Sequence, residues 1–94
     1  MPKFFIEVPH KAEKVECARA VQIFLMSGSH FLTNAEWGCM DGEHKAWMIV
    51  EVDSKQDAES IVPPSFRPQA KIVQLNRFTL EDIDDLLSHH EPQT

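Results

Sequence analysis

Apolar and polar residues alternate over several short stretches of the chain and recur at helical spacing over one longer one. Lys3 to Val8 is aromatic and β-branched and is closed by Pro9, which predicts a first strand. From Glu13 to Ser27 the apolar positions Cys17, Val21, Phe24 and Leu25 share one helical face, and Gly28 follows as a C-terminal cap, so this segment reads as a helix. Phe31 to Cys39 and His44 to Asp53 flank Asp41-Gly42, a strong hairpin pair, and predict strands two and three. Ser54 to Asp57 has the spacing of a capping box and opens a short helix that Pro63-Pro64 must stop. After a loop from Ser65 to Gln69, Ala70 to Phe78 reads as a fourth strand. Thr79 to Asp82 again has cap spacing and leads into Ile83, Leu86 and Leu87, followed by a polar tail from Ser88 to Thr94.

Strand, helix, strand, strand, helix, strand is the split βαβ arrangement, a ferredoxin-like α+β fold. It predicts a four-stranded antiparallel sheet in the order 4-1-3-2 with both helices on one face. Residues 1–79 make the domain on this reading, and residues 80–94 make a short C-terminal helix and polar tail.

The two-residue period then sorts side chains between the faces. With Asp41-Gly42 as the loop, Cys39 lies opposite His44, Trp37 opposite Ala46, Glu36 opposite Trp47 and Asn34 opposite Ile49. Phe4, Ile6 and Val8 join Ala46, Met48, Val50 and Val52, with Phe31, Ala35 and Trp37, in the helix-facing layer. In the last strand either Val73 and Leu75 or Ile72 and Phe78 fill that layer. The open face keeps Phe5, Leu32, Trp47 and Ile49 among Glu7, Asn34, Glu36 and Glu51, a larger apolar patch than a monomer usually leaves to water. A second copy docked on Phe5, Trp47 and Ile49 would cover it and enclose a mostly apolar pocket for a small molecule.

Composition narrows the partners. Nine basic residues stand against 15 acidic ones, a formal charge of −6, which argues against nucleic acid and anionic membrane surfaces. Aromatics Phe5 and Trp47 fall on the central strands, as stacking residues do in RNA-recognition domains, but lack the basic surround that RNA requires. No segment approaches the roughly 18 apolar residues of a membrane span, and the N-terminus lacks the apolar core of a secretory signal. The expected location is the cytoplasm, with Cys17 and Cys39 as reduced thiols.

The order of elements from Phe4 to Phe78 resembles the small dimeric α+β barrel proteins, the group that includes muconolactone isomerase and certain cofactor-free monooxygenases. The stretch that carries most of the likeness runs from Trp47-Met48-Ile49-Val50-Glu51-Val52-Asp53-Ser54 through Phe66-Arg67-Pro68 to Lys71-Ile72-Val73. The small nickel-binding ferredoxin-like family is also similar, with a histidine soon after strand one and the same hairpin. These resemblances imply the fold and a dimer, not a reaction, because this fold hosts unrelated functions.

Two constellations carry candidate chemistry. The predicted topology brings His10, Cys17, Cys39 and His44 to one edge of the sheet, and two imidazoles with two thiols suit a zinc ion or another borderline-to-soft metal such as nickel. Cys17 also lies on the apolar stripe of the first helix, which reads equally as a core position. His10, Cys39 and His44 are therefore the leading ligands, with Glu36 as a substitute for Cys39. No cofactor is required by the rest of the chain.

The second constellation is the open face, where Glu7, Asn34 and Trp47 would contact a ligand. Glu36 in an apolar cavity would act as a general acid or base, as an isomerase or cofactor-free oxygenase needs, and His10 is the other candidate base. Arg67, or Arg77, would hold a substrate carboxylate at the mouth. Alternatively, Glu7 and Glu36 are rim residues paired with Lys45 or Arg77. Whether the chain is an enzyme stays open at this point. The doublet His89-His90 promises only adventitious metal binding.

Overall fold

Strand β1, Lys3–Pro9, is the centre of the molecule: Phe4, Ile6 and Val8 are buried while the residues between them are half-exposed. The structure is a computed structural model and describes residues 1–90. Helix α1, Lys14–Met26, follows, with Glu13 and Ser27 as its caps and Gly28 beyond it at φ 76°, the left-handed conformation that glycine adopts without strain. Next come a helical turn α2, His30–Thr33, a two-residue strand β2, Glu36–Trp37, and strand β3, Lys45–Glu51. Helix α3, Lys55–Ile61, strand β4, Lys71–Leu75, and helix α4, Leu80–His90, complete the chain.

The four strands form one α+β sheet in the order β2-β3-β1-β4, every neighbouring pair antiparallel. Counted from the β4 edge, the same sheet runs 4-1-3-2. Its register sets Phe4 against Val50, Ile6 against Met48 and Ile72, and Val8 against Ala46, so these buried residues share one face. Ala20 and Phe24 of α1, Leu32 of α2 and Ala58 of α3 are buried on that face, and all but Ala20 join the strand residues in one contiguous cluster. Ile72 is therefore the inward residue of β4. Val73 and Phe5 pair on the other face, and Phe78 lies beyond the strand, exposed.

The caps are the ones the sequence spacing predicts. Ser54 Oγ accepts from the Asp57 amide at 3.0 Å and opens α3. Thr79 and Asp82 cap α4 reciprocally, at 3.1 and 3.0 Å, and these bonds hold the Asp82 carboxyl below its ordinary pKa.

Several expectations need correction. Phe31 to Asn34 is helical rather than extended, because Ser29 Oγ accepts from the Leu32 amide and Asn34 Nδ2 donates to the His30 carbonyl, closing a turn at both ends. That turn reverses two side chains: Leu32 enters the core and Phe31 faces water. The hairpin register is Glu36 to Trp47 and Trp37 to Ala46, yet Asp41-Gly42 is not a two-residue loop. The ladder closes where the Gly38 amide donates to the Lys45 carbonyl, and Cys39–Asp41 form a 3-10 turn that Gly42 ends at φ 82°. Cys39 and His44 thus lie in the connection, outside the strands. Leu25 is exposed, since α1 buries Ala20 and Phe24 instead. Ser88 to His90 continue α4 rather than starting the tail, whose remaining residues 91–94 fall outside the described part.

Gly38 is a packing requirement. A Cβ there would stand 2.6 Å from the Trp47 ring and 2.8 Å from the Glu43 carbonyl oxygen, so the ring lies directly over the backbone where the hairpin leaves the sheet. Among the described residues no helix is long and apolar enough to cross a membrane.

Candidate metal centre

Three parts of the chain converge at one end of the sheet. β1 ends at Pro9 and delivers His10; the first turn of α1 delivers Cys17; the 3-10 turn delivers Cys39; and the end of the connection delivers His44. A backbone bond from the His10 amide to the His44 carbonyl, 3.0 Å, fixes the two histidines beside each other, and their rings meet edge-on at 5.8 Å. Cys17 turns the same way because it shares a face of α1 with Phe24, seven residues on, whose ring is fully buried.

One ligand atom from each residue lies within 4.8 Å of all the others. His10 Nε2 is 2.8 Å from Cys17 Sγ and 3.2 Å from Cys39 Sγ, and Cys17 Sγ is 3.3 Å from His44 Nδ1. In a tetrahedral zinc site with ordinary bond lengths the edges are about 3.3 Å between nitrogens, about 3.6 Å between nitrogen and sulfur and about 3.8 Å between sulfurs. The three measured nitrogen–sulfur contacts are shorter than that edge, by about 0.3 to 0.4 Å at two of them and about 0.8 Å between His10 and Cys17, so the group would open by that much to admit an ion.

The electrostatics set the protonation that an ion would meet. Burial, and to a smaller degree the His44 ring, push the His10 pKa below its ordinary value. Its Nδ1 is shut off from water and has no hydrogen-bond partner among the described residues, so that atom adds to the cost of charging the ring, and with its pKa lowered His10 is mainly neutral at pH 7. Burial is also the main cause that raises the Cys39 thiol to about 11, with the neighbouring Cys17 thiol adding to it. Both cysteines are free thiols, half-buried.

A row of rings ties the centre to the core. His10 packs on Trp37 at 5.7 Å, Trp37 on Phe24 at 4.9 Å and Phe24 on Phe66 at 5.9 Å between centroids. On its outer flank His10 borders a groove of about 450 Å³, with Lys11, Arg19, Ile23 and Phe66 in its walls.

No family model, curated protein or solved structure matches this chain.

The structure distributes the other candidate residues differently. Asn34, Glu36 and Trp47 line one shallow groove of about 260 Å³ with Phe5 and Ile49 on the open face. Glu36 is exposed and lies outside the histidine-cysteine group, so it does not substitute for Cys39. Trp47 Nε1 donates to Glu7 Oε1 at 3.0 Å, and Lys45 Nζ lies 3.8 Å from the same oxygen, which makes Glu7 a paired residue of the sheet surface. The Asn34 amide caps α2. Arg67 is elsewhere: its guanidinium donates to the Val62 carbonyl at 3.1 and 2.8 Å and reaches that of Ser60 at 3.4 Å, so it caps the end of α3. Cys17 is the residue that sequence reasoning undervalued. Its position on the apolar stripe, one turn into the helix, places it at the stripe's end nearest His10, and that position is the signal that could have promoted it.

Proposed function

We propose that this chain is a metal-binding protein that holds one zinc ion between His10, Cys17, Cys39 and His44. The observation that carries the reading is the convergence of four nitrogen and sulfur atoms within 4.8 Å from three separate parts of the chain, the end of β1, the start of α1 and the β2–β3 connection. Two thiolates and two imidazoles are a donor set that zinc takes in closed tetrahedral structural sites. With four protein ligands the site is closed, which supports a structural rather than a hydrolytic role. The ion would clamp the end of β1, the start of α1 and the β2–β3 connection together.

Metal content of the purified, untagged chain tests this. After incubation with zinc and desalting, about one equivalent per chain is expected, since a structural site should be nearly filled. Cobalt substitution should give the visible absorption of a tetrahedral thiolate site. Cys17→Ser and His44→Ala should each drop zinc retention below about 0.2 equivalents; retention unchanged in both variants would sink the proposal.

A second reading concerns the open face and rests on a separate observation. Three shallow grooves on that face all have Ile49 in their walls, and Ile49 is 63% exposed on the central strand β3. The element order and sheet order support a ferredoxin-like fold that pairs through this face, with a second copy roofing the grooves over a small-molecule pocket. Sedimentation should then report a dimer for the native chain and a folded monomer for Ile49→Glu. A monomeric native chain would remove this reading and leave the metal centre untouched.

A further inference from the structure

We infer that the metal centre is also a disulfide-forming dithiol, at which a hydroperoxide joins Cys17 to Cys39 and so expels the ion. The inference rests on the zinc reading for its release step, but the bond itself depends only on the two sulfurs.

The placement of the cysteines argues for it. They are the chain's two cysteines, and both lie in one cluster with their sulfurs no more than 4.8 Å apart. Neither sulfur is locked away: both residues are half-buried, and Met40, next to Cys39, is fully exposed. A disulfide needs the sulfurs about 2.0 Å apart, a gap that side-chain rotation at the two cysteines would have to close. Cys39 is carried on a short 3-10 turn between strands rather than inside a ladder, so it can turn without breaking sheet pairing. The His10 and His44 rings contact Cys17 Sγ, and His10 contacts Cys39 Sγ, so an imidazole nitrogen is beside each sulfur.

The chemistry balances with hydrogen peroxide as oxidant. One thiolate attacks a peroxide oxygen; the S–O bond forms, the O–O bond breaks, and the departing oxygen leaves as water after taking a proton. The second thiolate then attacks the sulfenic sulfur; the S–S bond forms, the S–O bond breaks, and a second water leaves with another proton. Two sulfurs lose two electrons and the peroxide gains them. For the zinc form, the two bound thiolates, one peroxide and two protons yield one disulfide, one zinc ion and two waters. Two imidazoles alone remain as ligands, too few to retain the ion.

The zinc-loaded chain should be treated with hydrogen peroxide while released zinc is followed with a chromogenic chelator and covalent state by intact mass. The expected result is a loss of about 2 Da per chain, in step with release of the bound zinc, and recovery of zinc binding after dithiothreitol. Cys39→Ser should instead gain one oxygen at Cys17 and show no 2 Da loss. A zinc-loaded chain that retains its ion under peroxide, or that forms only sulfinic acids or intermolecular disulfides, would overturn the inference while the zinc reading stands. If the chain takes up no zinc, the zinc reading and the release step both fail; the metal-free chain under peroxide then decides the bond, an intramolecular Cys17–Cys39 disulfide supporting it and its absence refuting it.

Discussion

Zinc should raise the melting temperature of the metal-free chain by about 10 to 20 °C at a free concentration one hundred times its dissociation constant. A ligand that binds only the folded state contributes about 2.7 kcal/mol at that ratio. For a domain of this size one kcal/mol shifts the midpoint by about 4 to 8 °C. The pH dependence has a definite sign. Zinc needs Cys39 as the thiolate, and the thiol is pushed up to about 11, so below that value each unit of pH costs a factor of about ten in affinity from this residue alone. His10 is already mainly neutral at pH 7, because its pKa is lowered, and competes with the metal only under more acid conditions. The zinc-induced shift should therefore shrink as pH falls from 8 to 6. In the metal-free chain the Cys39 proton favours the folded state, since its folded pKa lies above the ordinary thiol value of 9.0. That stabilisation is fully present below pH 9 and is lost as pH rises toward 11. Differential scanning calorimetry with and without zinc, at pH 6, 8 and 10, reads all of this; identical midpoints with and without zinc at pH 8 would contradict the metal centre.

Phe24→Ala should cost about 3 to 5 kcal/mol, a large share of what holds the fold. At roughly 0.05 to 0.15 kcal/mol per residue, a chain of this length has about 5 to 14 kcal/mol in all. Phe24 is fully buried and touches Trp37 on one side and Phe66 on the other, so its removal leaves a cavity that rigid rings cannot fill. It also loosens α1, the element that presents Cys17. Urea unfolding of the metal-free variant should show a lower midpoint with an unchanged slope, and saturating zinc should restore part of the loss by mass action. A loss under about 1 kcal/mol would mean that the ring row does not anchor the helix.

The sheet was more legible than its connections. Phe4, Ile6 and Val8, and Ala46, Met48 and Val50, alternate with polar or open-face neighbours, and period two allows one assignment of faces, which the structure has. The hairpin register agrees with the apolar rows even though Asp41-Gly42 is not a two-residue loop, because the pairing of Trp37 with Ala46 depends on those rows more than on turn type. Phe31 to Asn34 was not legible from alternation. One serine hydroxyl on the Leu32 amide decides between strand and helix there, and that bond is invisible to a hydropathy pattern. The meeting of His10, Cys17, Cys39 and His44 could be read from topology alone, since each lies at the end of an element. What topology could not supply was the rank of Cys17, which depends on how α1 is turned about its axis. Arg67 failed for the same kind of reason: the carbonyls at the end of α3 are a local partner that no residue pattern announces.

All four residues of the cluster belong to the first 44 of the chain, ahead of β3. During synthesis the whole set therefore leaves the ribosome before the central sheet pair, α3, β4 or α4 exists. A metal ion captured at that stage would tie His10 to His44 across the intervening segment and close its loop in advance, so that β3 emerges beside a β1 end already tethered in place. If the site holds an ion, the order of residues along the chain would make metal supply a matter of folding yield, felt while the protein is being made, as well as of the stability of the finished molecule.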